Sequence, residues 1–285
     1  MVQSVRLRVA LVAALLASLS SACRGADEID APEVGTELTR TIARLDSLAF
    51  VPGGRTSLVS PLDVGVSVDL FVDRYEVTVG EWRRLFDGAD PIPPTFRDLS
   101  VERATATLPG SWRSDVPVVG MTLAEARRAA ELRGMRLPTF EEWMWCATGP
   151  RSRRLPAGRR QRGLANTLEL GLFRATPVGA FESGQTPDTG IYDLLGNVWE
   201  WTEMPTLVGW TATNPDAWPA DGGAGAPAWI AGGSFATPER VLFTRDRVVH
   251  ARATTVEHRG FDVGMRCVAE AWAYLDGLPD VDAID

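Results

Sequence analysis

The sequence predicts an α+β domain, rich in loops, with short strands and a few helices. Three observations carry this. Val64, Val66, Val68, Leu70 and Val72 are apolar at period two, the mark of a half-buried strand. Thr78, Thr122 and Thr139 each stand three residues before a Glu (Glu81, Glu125, Glu142), the capping-box pattern of a helix start. Ten Trp, 27 Gly and 19 Pro favour a compact fold built largely of turns and loops.

Taken in order, the chain begins with Arg6 and Arg8, an apolar run from Val9 to Leu19, the small residues Ser20-Ser21-Ala22, and then Cys23. Charge, short apolar core and small-residue site are the order of a secretory signal. The run is short of the roughly 20 apolar residues that a spanning helix needs. A cysteine directly after the small residues resembles a bacterial lipobox, with Leu19 one position ahead of its usual place. The expectation is a signal peptide over 1–22 and a lipid on Cys23; the alternative is an ordinary signal with an incidental cysteine. Arg24, rather than Asp, follows Cys23, which resembles sorting to the outer membrane. The protein is therefore expected in the cell envelope, lipid-anchored, at the outer membrane or the periplasmic face.

Residues 23–47 are polar and acidic and read as a tether, followed by a domain over 48–272 and a tail over 273–285. Within the domain the period-two run predicts one strand across Val64–Val72. The three capping boxes predict helices over 79–87, 123–133 and 140–147, and Pro138 supports the third boundary. Six Arg in 151–162 could form an anion site, but without interleaved aromatics they read as a solvated loop. Residues 205–228, rich in Gly, Pro, Ala and Trp, read as a long surface loop of the kind that often carries function. Val263–Val268 reads as a short closing strand.

Composition excludes several functions. All 29 basic residues are Arg, so lysine chemistry is absent: no Schiff base, no phosphate-binding Walker lysine. Removing residues 1–22, which hold two Arg and no acid, moves the formal charge from −8 to −10. Such a chain is a poor partner for nucleic acid. If Cys23 is lipidated, Cys146 and Cys267 remain as a pair. In an oxidising compartment an even remainder favours a disulfide over two separate buried thiols. Across 121 positions such a bridge would contribute about 4–5 kcal/mol in the chain-entropy view.

The motifs then form a series. Val72-Asp73-Arg74-Tyr75-Glu76-Val77-Thr78 is followed by Pro117-Val118-Val119-Gly120-Met121-Thr122 and Arg136-Leu137-Pro138-Thr139-Phe140-Glu141-Glu142-Trp143. Gly190 to Thr202, with its core Gly196-Asn197-Val198-Trp199-Glu200-Trp201, comes next, then Gly232-Gly233-Ser234-Phe235 and Gly264-Met265-Arg266-Cys267. In this order they resemble the formylglycine-generating enzyme family, also called sulfatase-modifying factors, over residues 48–270. The resemblance implies a single domain with a C-type-lectin-like core and a Cys146–Cys267 bridge. It also implies structural calcium held by the Asp193 and Glu200 side chains and the Gly196 and Val198 carbonyls; the alternative is a metal-free turn. A second calcium site would begin near Asn166, but Leu168–Val178 holds no Asp, and that site reads as lost.

The family oxidises a substrate cysteine to formylglycine with O2 and copper, binding Cu(I) through two cysteines. The matching positions here are Thr237 and Leu242, and soft Cu(I) wants soft thiolates. The Arg that usually precedes Gly-Gly-Ser is Ala231. Copper is therefore not expected. A related branch uses iron on three histidines; this chain has only His250 and His258, with Glu257 adjacent, which read as surface or polar-network residues. Two functions follow: a non-catalytic module binding a protein, peptide or glycan at the envelope, or a divergent oxidase acting on a protein substrate.

Overall fold

In a computed structural model the chain is described over residues 45–59, 62–86, 114–149, 163–203, 225–242 and 251–278. The strand alternation read from the sequence is present, but divided. β1 (Leu48–Val51) leads to a hairpin of β2 (Gly54–Val59) and β3 (Leu62–Val66), and β4 (Leu70–Asp73) follows after a turn. The single strand expected over Val64–Val72 thus breaks at 67–69. Its two halves have different neighbours: β3 pairs with β2, while β4 pairs antiparallel with β1. Asp69 fixes the break. Its Oδ1 accepts the Gly53 N–H at 2.9 Å, and its carbonyl accepts the Ala271 N–H at 2.9 Å.

The three capping boxes all form. α1 (Val79–Leu85), α2 (Leu123–Leu132) and α3 (Phe140–Thr148) each start on the Thr identified from sequence. In α3 the Thr139 N–H donates to Glu142 Oε2 at 2.9 Å and the Glu142 N–H to Thr139 Oγ1 at 3.1 Å. Each box satisfies two of the donors that a helix start leaves open. α1 ends at Leu85, two residues before its expected end, and α2 at Leu132, one residue before, while α3 runs one residue further.

α3 is buried along its whole length. Phe140, Trp143, Met144, Trp145, Cys146 and Ala147 share one core with Ala49, Val51, Leu70 and Val72 on one side and Ile191, Leu194 and Ala231 on the other. A helix buried on every side, Glu141 and Glu142 included, is enclosed by layers rather than laid on a surface. The layers are two sheets. One is three-stranded, in the order β1-β4-β9, where β9 is Val268–Glu270. The other comprises β5 (Trp199–Thr202), β6 (Pro227–Ala231), β7 (Ala251–Thr255) and β8 (Val263–Gly264), in the order β7-β6-β5-β8.

The closing strand expected over Val263–Val268 is therefore two strands. β8 runs parallel to β5 in one sheet, and β9 runs antiparallel to β4 in the other. Met265, Arg266 and Cys267 make the crossing. A short helix α4 (Glu239–Leu242) precedes β7. α5 (Ala271–Asp276) forms across the expected boundary between domain and tail, because Tyr274 packs edge-on to Phe71 at 6.0 Å. Leu48–Leu278 form one compact unit. Among the described residues no helix is long and apolar enough to cross a membrane.

Candidate functional site

The segment between the sheets centres on a buried ion pair. Arg266 is 1% exposed and Glu200 0%. The guanidinium donates through Nη2 to Glu200 Oε1 at 2.7 Å and through Nε towards both carboxylate oxygens at 3.1–3.2 Å. Its other donors reach the carbonyls of Asp73 and Tyr192, each at 2.8 Å. Trp143 Nε1–H completes the Glu200 carboxylate at 2.7 Å. One side chain from the crossing segment thus ties α3, β5 and the end of β4 together.

Two further carboxylates lie in the same interior. Glu76 accepts from Asn197 Nδ2 at 2.8 Å and from the Val198 N–H at 3.3 Å. Asp193 Oδ2 accepts the Gly179 N–H at 2.7 Å. Asp193 and Asn197 both sit at φ 57°, in the left-handed region that Asn and Asp tolerate best. Gly196 between them has φ 76°, and a Cβ there would lie 2.3 Å from the Asn166 carbonyl, so the turn requires glycine. Asn197 is its hub: its N–H donates to the Asn166 carbonyl at 2.8 Å, and its Oδ1 accepts the Thr176 N–H at 2.9 Å.

Among the described residues, Glu76, Asp193 and Glu200 face Arg266 as their one buried counter-charge. Burial pushes the Glu76 carboxyl well above its usual range, and Asp193 and Glu200 add to this. Burial likewise raises Asp193 to about 6, against the pull of the Gly179 N–H and Arg266. Such an excess of negative charge calls for a proton or a cation. Asp193 and Glu200, with the Gly196 and Val198 carbonyls, stand on this one turn, and hard oxygen donors suit Ca2+. Asp193 fits that role. Glu200 fits only by releasing an oxygen from Arg266 or Trp143. Among the described residues no group of three or more His, Cys, Asp or Glu side chains is placed to hold a metal ion, so a calcium here would take two side-chain carboxylates and two backbone carbonyls, and draw the rest of its roughly six to eight oxygens from water.

The positions matching the copper thiols are built into packing. Thr237 Oγ1 accepts the Ser234 N–H at 2.9 Å and lies 3.2 Å from Ser234 Oγ. Ser234 Oγ donates to Asp262 Oδ2 at 2.7 Å. Leu242 is 1% exposed and fills the space over Gly233, where a Cβ would come within 2.4 Å of its Cδ2. Ala231 ends β6 opposite Glu200, with no side chain to reach the turn. A hydroxyl inside a hydrogen-bonded turn and a buried isobutyl group do not fit Cu(I).

Cys146 and Cys267 are both buried free thiols, raised to about 12 by burial, so the structure does not show the bridge expected between them. His258 lies edge-on to Trp201 at 6.3 Å, its ring Nε2 3.5 Å from Arg252; burial and Arg252 lower its pKa. Glu257 turns away to accept the Gly225 N–H. Beyond Asn166, Glu169 Oε2 accepts the Glu239 N–H at 2.9 Å, as a structural contact rather than an open ligand. Cys23, His250, the Arg-rich 151–162 and most of 205–228 lie outside the described residues. Glu76, Arg266, Trp143 and Asp262 are site residues not singled out from sequence. Glu76, Trp143 and Arg266 lie within the motifs quoted from the sequence, but their residue types alone carried no role.

The profile of the family described as Sulfatase-modifying factor enzyme 1-like domain matches residues 36–271. The chain is similar to a Bos taurus protein named inactive C-alpha-formylglycine-generating enzyme 2, 36% identical over 124 residues, 36% of this chain and 40% of that protein. It is 28% identical over 194 residues to the formylglycine-generating enzyme of Streptomyces coelicolor, covering 61% of this chain and 60% of that one. It is 31% identical over 169 residues to the hercynine oxygenase of Mycolicibacterium smegmatis, covering 50% and 39%. The chain thus spans from two fifths to three fifths of the length of these relatives. PvdO from Pseudomonas aeruginosa shares the fold at a TM-score of 0.57 and 19% identity, over 78% of this chain and 94% of that one. CarF does so at 0.52 and 15%, over 78% and 97%.

Glu200→Gln removes the charge opposite Arg266 while nearly keeping the shape. Breaking one side of a buried, bonded ion pair costs roughly 3–5 kcal/mol. Urea unfolding of the variant should lose that much stability, and an unchanged midpoint would mean that the pair does not hold the sheets.

Proposed function

The chain belongs to the sulfatase-modifying factor enzyme 1-like family, and from that premise we propose that it is an envelope lipoprotein whose domain binds or scaffolds a protein, peptide or glycan and does not make formylglycine by copper chemistry. The carrying observation is the fate of the thiol positions. Thr237 is part of the Ser234 turn, and Leu242 is packed over Gly233. Neither supplies a thiolate, and Cys146 and Cys267 are enclosed. The bovine relative, itself named inactive, supports the reading. The Streptomyces relative, named as an enzyme, favours the second reading, a divergent oxidase acting on a protein substrate.

One experiment separates the two. The purified protein is incubated with Cu(I), O2 and a cysteine-containing sulfatase-type peptide, and the aldehyde is sought by mass spectrometry. No conversion and no tight Cu(I) binding are expected; robust conversion would establish the oxidase.

Two structural features belong to the same proposal. The first is a Cys146–Cys267 bridge in the exported protein. Non-reducing peptide mapping should find the two peptides joined, and free thiol at either position in exported protein would dispose of the bridge.

The second is Ca2+ at Asp193, Gly196, Val198 and Glu200, where it would neutralise the surplus of buried carboxylate. Saturating Ca2+ at about a hundredfold over its Kd stabilises by about 2.7 kcal/mol, so the melting temperature should rise by several degrees over the EDTA-treated protein. With the ion chelated, Asp193 is raised from 3.8 to about 6. A raised acid binds its proton more tightly when folded. The contribution of Asp193 to stability is then fully present below about pH 4 and is lost, on the order of 3 kcal/mol, as pH rises through about 6. Asp193→Asn should flatten that slope in EDTA and abolish the Ca2+ shift. A melting temperature indifferent to Ca2+ would rule the ion out.

A further inference from the structure

We propose that the outer face of the three-stranded sheet, at Phe50, Phe71 and Trp272, rests on a lipid surface of low negative charge; this rests on the lipid-anchor reading of Cys23. In β1, Leu48, Ala49 and Val51 are buried, whereas Phe50 is 44% exposed. Phe50 stands directly opposite Phe71 in the β1–β4 register, with the rings edge-on at 6.0 Å. Both point away from the core, which takes Ala49, Val51, Leu70 and Val72 from the other side of the same strands. Trp272 of α5, 37% exposed, extends the cluster at 6.3 Å from Phe50. Its Nε1–H donates to Asp69 Oδ2 at 3.2 Å, so its polar tip is satisfied and its ring is free to meet an apolar phase. Amphipathic aromatic rings gather at membrane–water interfaces for this reason.

The chain outside the domain selects this occupant. Only residues 24–47 separate Cys23 from Leu48, a reach of at most about 85 Å when fully extended. Phe50 lies three positions beyond Ser47, so this face stands where the chain from Cys23 enters the domain. A domain of this length has a radius of gyration of about 17 Å, and bringing a far face to the same bilayer would consume most of the tether. The face is bordered by Asp69 and the exposed Glu270, in a chain of formal charge −8. That favours zwitterionic over anionic headgroups. A second apolar run, Leu168 to Phe173, is also exposed, with Phe173 at 63%. It has the same chemistry but no continuity with the tether, and so serves as an internal control.

The test uses full-length protein with its native anchor in phosphatidylcholine vesicles carrying a diazirine on the acyl chain. After illumination the label is mapped by mass spectrometry. Peptides spanning 48–51 and 270–276 should carry at least fivefold more label than 168–173. That label should fall severalfold in Trp272→Ser, and in Phe50→Ser provided its circular dichroism is unchanged. It should also fall as phosphatidylglycerol replaces phosphatidylcholine. Even labelling, labelling led by 168–173, or label rising with phosphatidylglycerol would overturn the inference. So would protection of 48–51 and 270–276 in vesicle-free solution with rising protein concentration, which would assign the face to a second copy. An intact mass without acyl chains on Cys23 overturns the anchor reading and this inference together. An acylated protein lacking the labelling overturns this inference alone.

Discussion

A guanidinium sealed between two sheets constrains everything around it. Removing Arg266 from water carries a penalty of several kcal/mol, which only well-placed partners offset. The partners come from four segments: Glu200 on β5, the Asp73 carbonyl at the end of β4, the Tyr192 carbonyl in the turn, and Trp143 of α3 through Glu200. None of these contacts survives a change of register. The crossing from β8 to β9 therefore has one position in which Arg266 is satisfied. That position sets where the parallel pairing with β5 stops and the antiparallel pairing with β4 begins. The pair works less as a source of net stability than as a pin on topology, since a buried ion pair is often no better than an apolar replacement of the same size.

The same pin brings a charge problem with it. Glu200 answers Arg266, which leaves Glu76 and Asp193 in the interior with backbone and amide donors but, among the described residues, no cation of their own. Hydrogen bonds to a carboxylate lower its cost without removing it, which is why both carboxyls titrate high. The left-handed Asp193 and Asn197 place these groups where a strand or helix could not. Strain of this kind is tolerated when the surroundings over-determine it. Here Asn197 bonds through its main-chain N–H, its amide and its amide oxygen at once.

What could be read from the sequence follows the range of the interactions. A capping box is closed within four residues, so Thr78, Thr122 and Thr139 marked their helices correctly. Period-two alternation reports which face of a strand is buried and says nothing of which strand it pairs with. The run from Val64 to Val72 was accordingly right about burial at Val66, Leu70 and Val72 and wrong about continuity, because the chain changes partner at Asp69. The closing strand failed for the same reason. The α+β class and the turn at Gly196–Glu200 were legible through local motifs. Arg266 and Glu76 were not, since a charged side chain is usually exposed and only long-range partners reveal one that is buried.

Separation of scaffold from chemistry explains how this chain keeps the fold with altered thiol positions. Thr237 and Leu242 lie on the Ser234–α4 segment, and their contacts are with Ser234 and Gly233. The side chains of Arg266 and Glu200 bond instead to one another, to α3, to the end of β4 and to the Tyr192 turn. A hydroxyl that closes the turn and an isobutyl group that fills the space over Gly233 stabilise the segment as packing, with no demand on the ion pair. The two regions meet at the backbone, where the Gly196 N–H donates to the Gly232 carbonyl at 3.0 Å and the Phe235 N–H to the Asn197 carbonyl at 2.9 Å, and through Asp262, which accepts from Ser234 Oγ and, by its carbonyl, from the Trp199 N–H. The positions that the resemblance matches to copper thiols thus carry ordinary packing, while the group that fixes the arrangement of the sheets lies on the crossing segment.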